Sequence, residues 1–475
     1  MEFYNRTEDL ALLEHALRAP RPQLIRVYGR RRVGKTELLQ RILRSTRGLY
    51  LSAAPGDTLP QITDLTTQLA DQVRGPVGPF STWPEFFHAL ERADPSVIVI
   101  DEFQNLTDRD LHVAGVLQRT WDLGWKEHGP HLILCGSSIG MMLRLTRYRT
   151  GPLYGRFTHD LHLRPFSYPG VRLLYPHEPE DARVRRFAVF GRTPAYHEPS
   201  VGKGLDEAIL DCYLSKDARF RDEPYELLLT ELRTLDRYSS ILAALGQGST
   251  SLSELEHRTG VRAGGLTPYL ETLGKDLDLI RPESPVCGLE RRTRYELSDP
   301  FFSFYFRFVR PNRHLLEQHG QAVVLSRVQR DLEDHVGRAF EAVVRDVLES
   351  RQGSEVEGHP LRFDRIGRWW NRVGEEINLV VSGPEEIWCG EVKWSARPVG
   401  EGLVRDLVRK SSLMERTDRR PVRPFIVARG GATPEACALV AQRGGFVLDL
   451  EALGSLAARG TGVDPGPMTD GKPGD

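Results

Sequence analysis

The sequence predicts an α/β fold built on a parallel sheet, and three features support this. Short apolar runs occur at 24–28, 97–100 and 131–135, where the chain reads LIRVY, VIVI and HLILC. Near-continuous apolar runs of this length are typical of parallel strands that helices cover on both faces. Helical stretches such as Thr36–Arg44 lie between them, as the alternation of an α/β domain requires. We therefore expect an α/β domain over residues 1–204.

The bulk properties limit the classes of function. The chain has 475 residues, which predicts two to four domains at roughly 100–200 residues each. A net charge of −1 gives no overall attraction to nucleic acid or anionic lipid, so a nucleic-acid surface has to be a local patch. The five cysteines form no CxxC pair or Cys/His cluster, which argues against zinc and against a disulfide framework. No signal peptide and no membrane helix is recognised, so we expect a cytoplasmic protein without a membrane partner.

Beyond residue 204 the pattern changes to short helices, and we expect a helical domain over 205–300. Ser251 and Glu254 have capping-box spacing at the start of one helix, and Gly260 ends it. A second helix is predicted from about Gly265, with apolar side chains three and four residues apart on one face. Two short strands follow. Helix, turn, helix and a two-stranded ribbon together predict a winged helix.

The residues after the first predicted strand form a phosphate-binding pattern. They read GRRRVGKT, match GxxxxGK[ST], and lie between a strand and a helix as the pattern requires. The glycines let the backbone curl so that its N–H groups point at phosphate oxygens, and the helix N-terminus adds a favourable dipole. Lys35 is expected to neutralise the β- and γ-phosphates of ATP, and the Thr36 hydroxyl to bind Mg²⁺. The expected nucleotide-binding residues are Gly29, Arg30, Arg31, Arg32, Val33, Gly34, Lys35 and Thr36.

Two further predicted strands end in polar residues. VIVI is followed by Asp101 and Glu102, which places two carboxylates at the edge of the sheet where the phosphates are expected. Asp101 is expected to hold Mg²⁺, directly or through water, and Glu102 to polarise the attacking water as general base. HLILC is followed closely by Ser137 and Ser138. These are candidate sensors of the γ-phosphate, with helix capping as the alternative.

Several segments of the N-terminal part carry a resemblance to a known family. They read FYNR from residue 3, GRRRVGKT from 29, VIVIDEFQ from 97, LCGSS from 134, and PLYGRF from 152. Together they resemble the archaeal-type ATPases, a branch of the STAND class of P-loop ATPases related to AAA+ proteins.

The likeness covers about residues 3–200 and includes VFGRTPAY at 189–196, where Arg192 stands at a position that is commonly glycine. The resemblance implies that Arg156 is an arginine sensor of the γ-phosphate and catalytic, acting within its own chain or across a subunit interface. It also implies that Asn5 and Arg6 lie on the base or ribose side of the nucleotide.

The predicted winged helix has two interpretations. Basic residues in or beside it are Arg258, Arg262, Lys275, Arg291, Arg292 and Arg294. Such residues would contact DNA phosphates. The helix expected to enter a groove, 265–273, contains no Lys or Arg. In the ATPases that this chain resembles, a winged helix commonly follows the core as an intramolecular lid, and both roles stay open.

Residues 301–460 are expected to form a small α/β domain, with the aromatic run FFSFYFRF at its start as core and a disordered tail at 461–475. The domain resembles one of uncharacterised function attached to many archaeal-type ATPases, and its later part resembles the PD-(D/E)xK nuclease fold. The candidate degenerate nuclease residues are Glu341, Asn378, Glu391 and Lys393. Alternation in a strand puts Glu391 and Lys393 on one face. Asn378 stands where this fold has Asp, which weakens a Mg²⁺ site, and Glu376 on the same face is the alternative ligand.

The resemblance implies an ATP-binding and ATP-hydrolysing regulatory or signalling ATPase with ATP and Mg²⁺ as ligands. Its nucleotide state would be coupled to the winged helix and the nuclease-like module. The alternatives are an ATP-regulated, metal-dependent DNA nuclease and a DNA-binding regulator. DNA, a protein partner and a second copy of the chain stay open as partners.

Overall fold

A computed structural model describes residues 6–459 except 109–110, 148–150, 233–234, 289–291, 416–417 and 419. The predicted α/β class is confirmed by a five-stranded parallel sheet in the N-terminal part. Its strands are β1 (Leu24–Tyr28), β2 (Gly48–Ser52), β3 (Val97–Asp101), β4 (His131–Gly136) and β5 (His159–His162). Their order across the sheet is β2-β3-β4-β1-β5. Asn5, Arg291 and the tail 461–475, for which predictions were made, lie outside the described residues.

Helices cover both faces of this sheet. They are α1 (Thr7–Leu17), α2 (Lys35–Leu43), α3 (Thr58–Gln72), α4 (Trp83–Arg92), α5 (Gln104–Thr107), α6 (His112–Thr120), α7 (Lys126–His128) and α8 (Ile139–Arg147). The three central strands are almost entirely buried, which is why their apolar runs predicted them. The edge strands β2 and β5 are half exposed and mix polar with apolar residues, so neither forms an apolar run that predicts a strand.

Residues 168–297 are mainly helical. The helices are α9 (Tyr168–Arg172), α10 (Glu180–Phe190), α11 (Pro194–His197), α12 (Leu205–Ile209), α13 (Glu223–Glu231), α14 (Asp236–Gly246), α15 (Leu252–Thr259) and α16 (Ala263–Glu271). An antiparallel hairpin follows, of β6 (Ile280–Glu283) and β7 (Arg294–Leu297). Both capping-box bonds of α15 are present, from Glu254 N to Ser251 Oγ at 3.3 Å and from Ser251 N to Glu254 Oε2 at 2.9 Å. Gly260, with φ of 69°, ends this helix as predicted.

The C-terminal part contains a long helix and a second, mixed sheet. Its helices are α17 (Pro300–Phe304), α18 (Arg313–Glu317), α19 (Gln321–Ser350), α20 (Glu401–Glu415), α21 (Pro434–Gln442) and α22 (Leu450–Arg459). Its strands are β8 (Glu355–Val356), β9 (His359–Pro360), β10 (Arg365–Trp370), β11 (Glu376–Ser382), β12 (Ile387–Lys393), β13 (Val422–Ala428) and β14 (Phe446–Leu448). Strands β10 to β12 pair antiparallel, and β12 to β14 pair parallel.

The largest apolar core crosses the boundaries predicted at 204 and 300. It runs from Phe166 to Ala457 and includes α10, α14, α17 and α19. The aromatic run after residue 300 lies inside it, and Phe301, Phe302 and Tyr305 are fully buried, so the expectation of core packing is confirmed. The first sheet has separate cores on its two faces. Among the described helices, none has the length and apolarity needed to cross a membrane.

Candidate nucleotide site

The phosphate-binding loop connects β1 to α2. Gly34 occupies the left-handed region with φ of 95°, which favours glycine, and the helix begins at the next residue. The Lys35 ammonium lies inside the curl and donates to the carbonyl oxygens of Gly29 at 2.8 Å and Arg30 at 3.0 Å. Burial lowers the pKa of Lys35, although the nearby carboxylates Asp101 and Glu102 act in the opposite direction. A triphosphate would replace two carbonyl oxygens with charged acceptors, which bind an ammonium more strongly.

The two residues predicted to hold Mg²⁺ lie together. Thr36 Oγ1 donates to Asp101 Oδ2 at 3.1 Å, and Asp101 is buried at the end of β3. Tyr50, on the unpredicted edge strand β2, also donates its hydroxyl to Asp101 Oδ2. Burial and this carboxylate both raise the pKa of Tyr50. Hard oxygen ligands beside a phosphate position suit Mg²⁺, so this pair of side chains fits the ion.

Glu102 adopts an uncommon backbone conformation, with φ of 51°. Such strain in a residue other than glycine persists only where surrounding contacts hold it, and it is often found at functional sites. Glu102 Oε2 accepts from Ser137 Oγ at 2.7 Å and Ser137 N at 3.3 Å, and also from Gln104 Nε2. The candidate sensor Ser137 therefore contacts the candidate base directly. Ser138 is buried next to it.

A cavity of about 820 Å³ opens beside these residues. One wall belongs to the parallel-sheet part, and the other to α13, α14 and the π-helical stretch Thr272–Asp276 that follows α16. Lining residues are Arg31, Glu102, Ser137, Ser138 and Arg144 on the first wall, and Leu232, Tyr238, Asp276 and Leu277 on the second. The volume falls within the roughly 300–1,000 Å³ typical of small-molecule sites. The cleft thus joins the candidate catalytic residues to the helical segment.

Two of the loop arginines turn away from this cavity. Arg30 is buried, with Nη1 3.6 Å from Asp299 Oδ2 and its guanidinium over the Phe302 ring. Arg32, with φ of 66°, places Nη1 2.7 Å from Glu223 Oε2. Both were predicted to bind nucleotide. Their side chains pair with distant parts of the chain, and the prediction that the loop binds phosphate through its backbone N–H groups is unaffected by these pairs.

Asp299, the partner of Arg30, was not predicted from the sequence as a functional residue. It is fully buried and accepts from Arg192 N at 3.0 Å, Phe301 N at 3.1 Å and Thr193 Oγ1 at 3.3 Å. A Cβ on Gly191 would lie 1.8 Å from Asp299 Oδ1, so glycine is required there. Asp299 therefore joins the phosphate loop, the GRTPAY segment and the start of α17.

Arg192, which stands where glycine is common, has its own partner. Its Nη1 and Nη2 lie 2.6 Å and 3.0 Å from the two carboxylate oxygens of Asp346 on α19. Burial opposes its charge, but Asp346 outweighs this and raises the pKa of Arg192. The departure from the family pattern is thus matched by a carboxylate from the C-terminal part.

The two other arginines of the resemblance lie outside the cavity wall. Arg156 donates to Asp122, from Nη2 at 2.7 Å and from Nε at 3.0 Å. This arrangement gives no support to a γ-phosphate contact within its own chain, whereas a contact across a subunit interface stays a prediction. Arg6 Nη2 donates to the Val33 carbonyl at 2.7 Å and so stabilises the backbone of the phosphate loop. Arg144, which the sequence did not single out, lines the cavity instead.

The candidate nuclease residues are only partly arranged for metal binding. Glu341 Oε1 accepts from Asn378 Nδ2 at 2.7 Å, and Glu341 Oε2 accepts from Arg368 Nη2 at 2.7 Å. Lys393 Nζ lies 2.7 Å from Glu391 Oε1. A guanidinium and an amide N–H thus occupy the Glu341 oxygens that a cation would need. Within the described ranges, no cluster of three or more His, Cys, Asp or Glu has metal-binding geometry.

The phosphate loop after β1, Asp101 at the end of β3, and β4 between these strands have the arrangement of a P-loop nucleotide-binding fold. Residues 3–175 match a family model described as an ATPase domain predominantly from Archaea. Residues 305–406 match one described as archaeal and bacterial proteins of unknown function. The chain therefore carries an archaeal-type ATPase domain and a second, C-terminal family domain.

The chain is also similar to individual proteins, to different extents. An uncharacterized protein of Methanocaldococcus jannaschii is 29% identical over 424 residues, which cover 87% of this chain and 92% of that protein. The solved ORC2 protein of Aeropyrum pernix is 16% identical with a TM-score of 0.44, over 68% of this chain and 96% of that one. A STAND protein of Pyrococcus horikoshii with a tetratricopeptide repeat sensor is 15% identical with a TM-score of 0.27, over 73% of this chain and 54% of that one.

Proposed function

We propose that the chain is an ATP-hydrolysing switch whose nucleotide state is passed from the phosphate loop to the helical and C-terminal parts. Lys35 would contact the β- and γ-phosphates, and Thr36 and Asp101 would hold Mg²⁺, which supplies positive charge to the phosphates. Glu102 would polarise the attacking water, with Ser137 fixing its carboxylate. The observation that carries the coupling is the pairing of two loop arginines with Asp299 and Glu223.

This pairing supports coupling because of where the two acids lie. Asp299 directly precedes α17, and Glu223 begins α13. Both acids are buried, and burial raises the pKa of Glu223. Separating a buried ion pair leaves an uncompensated charge, so a movement of the loop that broke these pairs would cost free energy unless the helices moved with it.

The coupling is testable by hydrogen exchange on the full chain. In a Glu102→Gln background, ATP with Mg²⁺ should slow exchange in the peptide that contains α17. Arg30→Met combined with Asp299→Asn removes both charges together, so it should keep ATP affinity within about fivefold and lose most of this response. Arg44→Met, an exposed arginine at the end of α2, is the matched control and should respond like the parent.

A response of full size in the double variant would contradict the coupling. A loss of the response in Arg44→Met would show that it depends on general charge and not on this pair.

We further propose that α14 to α16 with the β6–β7 hairpin form a winged helix that serves as a lid. Asp276 and Leu277, just after α16, line the nucleotide cavity. One ion pair links the hairpin to the C-terminal sheet: Arg294 Nη1 on β7 lies 2.7 Å from Glu376 Oε2 on β11. The Arg294 guanidinium also stacks on the Trp370 ring of β10. An arginine held in this way is poorly placed to contact DNA phosphates, which favours the lid over the DNA-binding alternative.

We also expect the C-terminal module to be inactive as a nuclease. Plasmid DNA incubated with the protein, ATP and either Mg²⁺ or Mn²⁺ should remain uncut, because Arg368 and Asn378 occupy the oxygens of Glu341. Asn378→Asp alone should not restore cutting, since the Arg368 contact remains. Nicking by the wild-type protein that disappears in Glu391→Ala and Lys393→Ala would instead establish the nuclease.

A further inference from the structure

A second cavity, of about 440 Å³, lies where α14, α17 and α19 meet the β6–β7 hairpin. Among the residues that the structure describes, the two cavities have no lining residue in common. The described wall of the second cavity contains six arginines and two carboxylates, Glu296 and Glu341. A concave surface with this excess of guanidinium groups favours an anionic ligand.

The charges are balanced at the floor of this cavity but not at its mouth. At the floor, Arg345 Nη2 lies 2.9 Å from Glu283 Oε1. Burial would raise the pKa of Glu296, but Arg281, Arg368 and Arg345 outweigh it and lower the pKa to about 2.

At the mouth, Arg307 and Arg338 share one carboxylate, Asp334, at 2.6 Å and 3.3 Å. The Asp334 side chain is 64% exposed and does not line the cavity. The mouth therefore has surplus positive charge.

Three lining residues also carry a buried polar atom without a hydrogen-bond partner among the described residues. These atoms are Arg307 Nη1, Arg345 Nε and Ser298 Oγ. Buried donors are normally paired in folded proteins, and leaving one unpaired is unfavourable. All three atoms can donate, and all three belong to residues that line the cavity, so side-chain adjustment toward a bound acceptor would give them partners.

We propose that this cavity is a second anion site that binds a phosphate group. A phosphate offers several charged oxygens in different directions, which suits forked guanidinium donors arriving from separate helices. Arg307 and Arg338 supply charge at the mouth, and Ser298 and Arg345 donate from the wall. The phosphate belongs to a small phosphorylated molecule or to a nucleic-acid end, which share this chemistry.

The site is connected to the phosphate loop through Asp299. Ser298 is followed by Asp299, the partner of Arg30, and Arg192 both lines the cavity and donates its backbone N–H to Asp299. A phosphate bound to Ser298 would therefore lie one residue away in the chain from Asp299, which pairs with Arg30 of the phosphate loop.

The test is calorimetric titration of the full chain carrying Lys35→Ala, so that the phosphate loop does not compete for the probe. The probes are inorganic pyrophosphate, adenosine monophosphate, and a short thymidine oligonucleotide with either a 5′-phosphate or a 5′-hydroxyl. Arg307→Met should weaken binding of the phosphate-bearing probe about tenfold or more, and Ser298→Ala about threefold. Arg330→Met, an exposed arginine of α19 outside the cavity, should leave the affinity unchanged.

The probes also distinguish the source of the phosphate. Binding of pyrophosphate or adenosine monophosphate assigns the site to a small phosphorylated molecule, and binding of the 5′-phosphorylated oligonucleotide alone assigns it to nucleic-acid ends. Ser298→Ala removes one oxygen and no ion pair, so it remains informative if Arg307→Met is unstable. The proposal is overturned if no probe binds, or if both variants bind as tightly as the parent.

Discussion

Lys35→Ala is expected to abolish measurable ATP binding. The Lys35 ammonium is the buried cation of the phosphate loop, already held by the Gly29 and Arg30 carbonyls in a position to receive phosphate oxygens. Charge-assisted hydrogen bonds contribute about 1.5–3 kcal/mol each, so the loss of two or more corresponds to at least about a hundredfold in dissociation constant. Titration with ATP and Mg²⁺ in a calorimeter measures this directly.

The matched control for this variant is Lys216→Ala, which removes an exposed lysine outside the cavity wall. Its affinity for ATP should equal that of the wild type. Because burial already disfavours the charged form of Lys35, we expect no loss of thermal stability in Lys35→Ala without nucleotide. A dissociation constant within threefold of the wild type would refute the role assigned to this loop.

Glu102→Gln should bind ATP with nearly unchanged affinity and lose its turnover. The amide keeps the shape of the side chain and an oxygen for the Ser137 hydroxyl, but it cannot take a proton from water. General-base catalysis contributes typically 10²–10⁴-fold, so phosphate release at saturating ATP should fall by at least about a hundredfold. A single-turnover measurement separates this chemical step from product release.

Glu37→Gln, an exposed glutamate in the first turn of α2, is the control and should turn over normally. Full turnover in Glu102→Gln would assign the base to another residue. The contact between Ser137 and Glu102 makes Ser137→Ala informative alongside it, because that variant removes the hydroxyl donor and leaves the carboxylate with the Ser137 N–H and Gln104 Nε2.

The features that could be predicted from the sequence are those defined by motifs of a few neighbouring residues. The phosphate loop, Asp101 and Glu102 were recognised because short spacings at the ends of buried strands place them at one edge of the sheet. The helix start at Ser251 was recognised for the same reason, since its two capping bonds join residues only three apart.

The missed residues depend on contacts between distant segments. Asp299, Glu223 and Tyr50 carry no motif of their own, and each acquires its role from a partner elsewhere in the chain. The sequence did not predict the side-chain partners of Arg30 and Arg32, because a loop pattern does not reveal which acids the fold brings near. Arg368 likewise lay outside the predicted nuclease set, although it pairs with Glu341.

The apolar core between Phe166 and Ala457 limits how the molecule can be divided. Helix α10 packs against both α17 and α19, so much of its buried face is covered by residues more than a hundred positions later. A fragment that ended near residue 204 would leave that face in water, and burial of apolar side chains is the main favourable term in folding. The C-terminal family domain therefore shares an apolar core with the helices that follow the ATPase sheet, and we expect its loss to destabilise them.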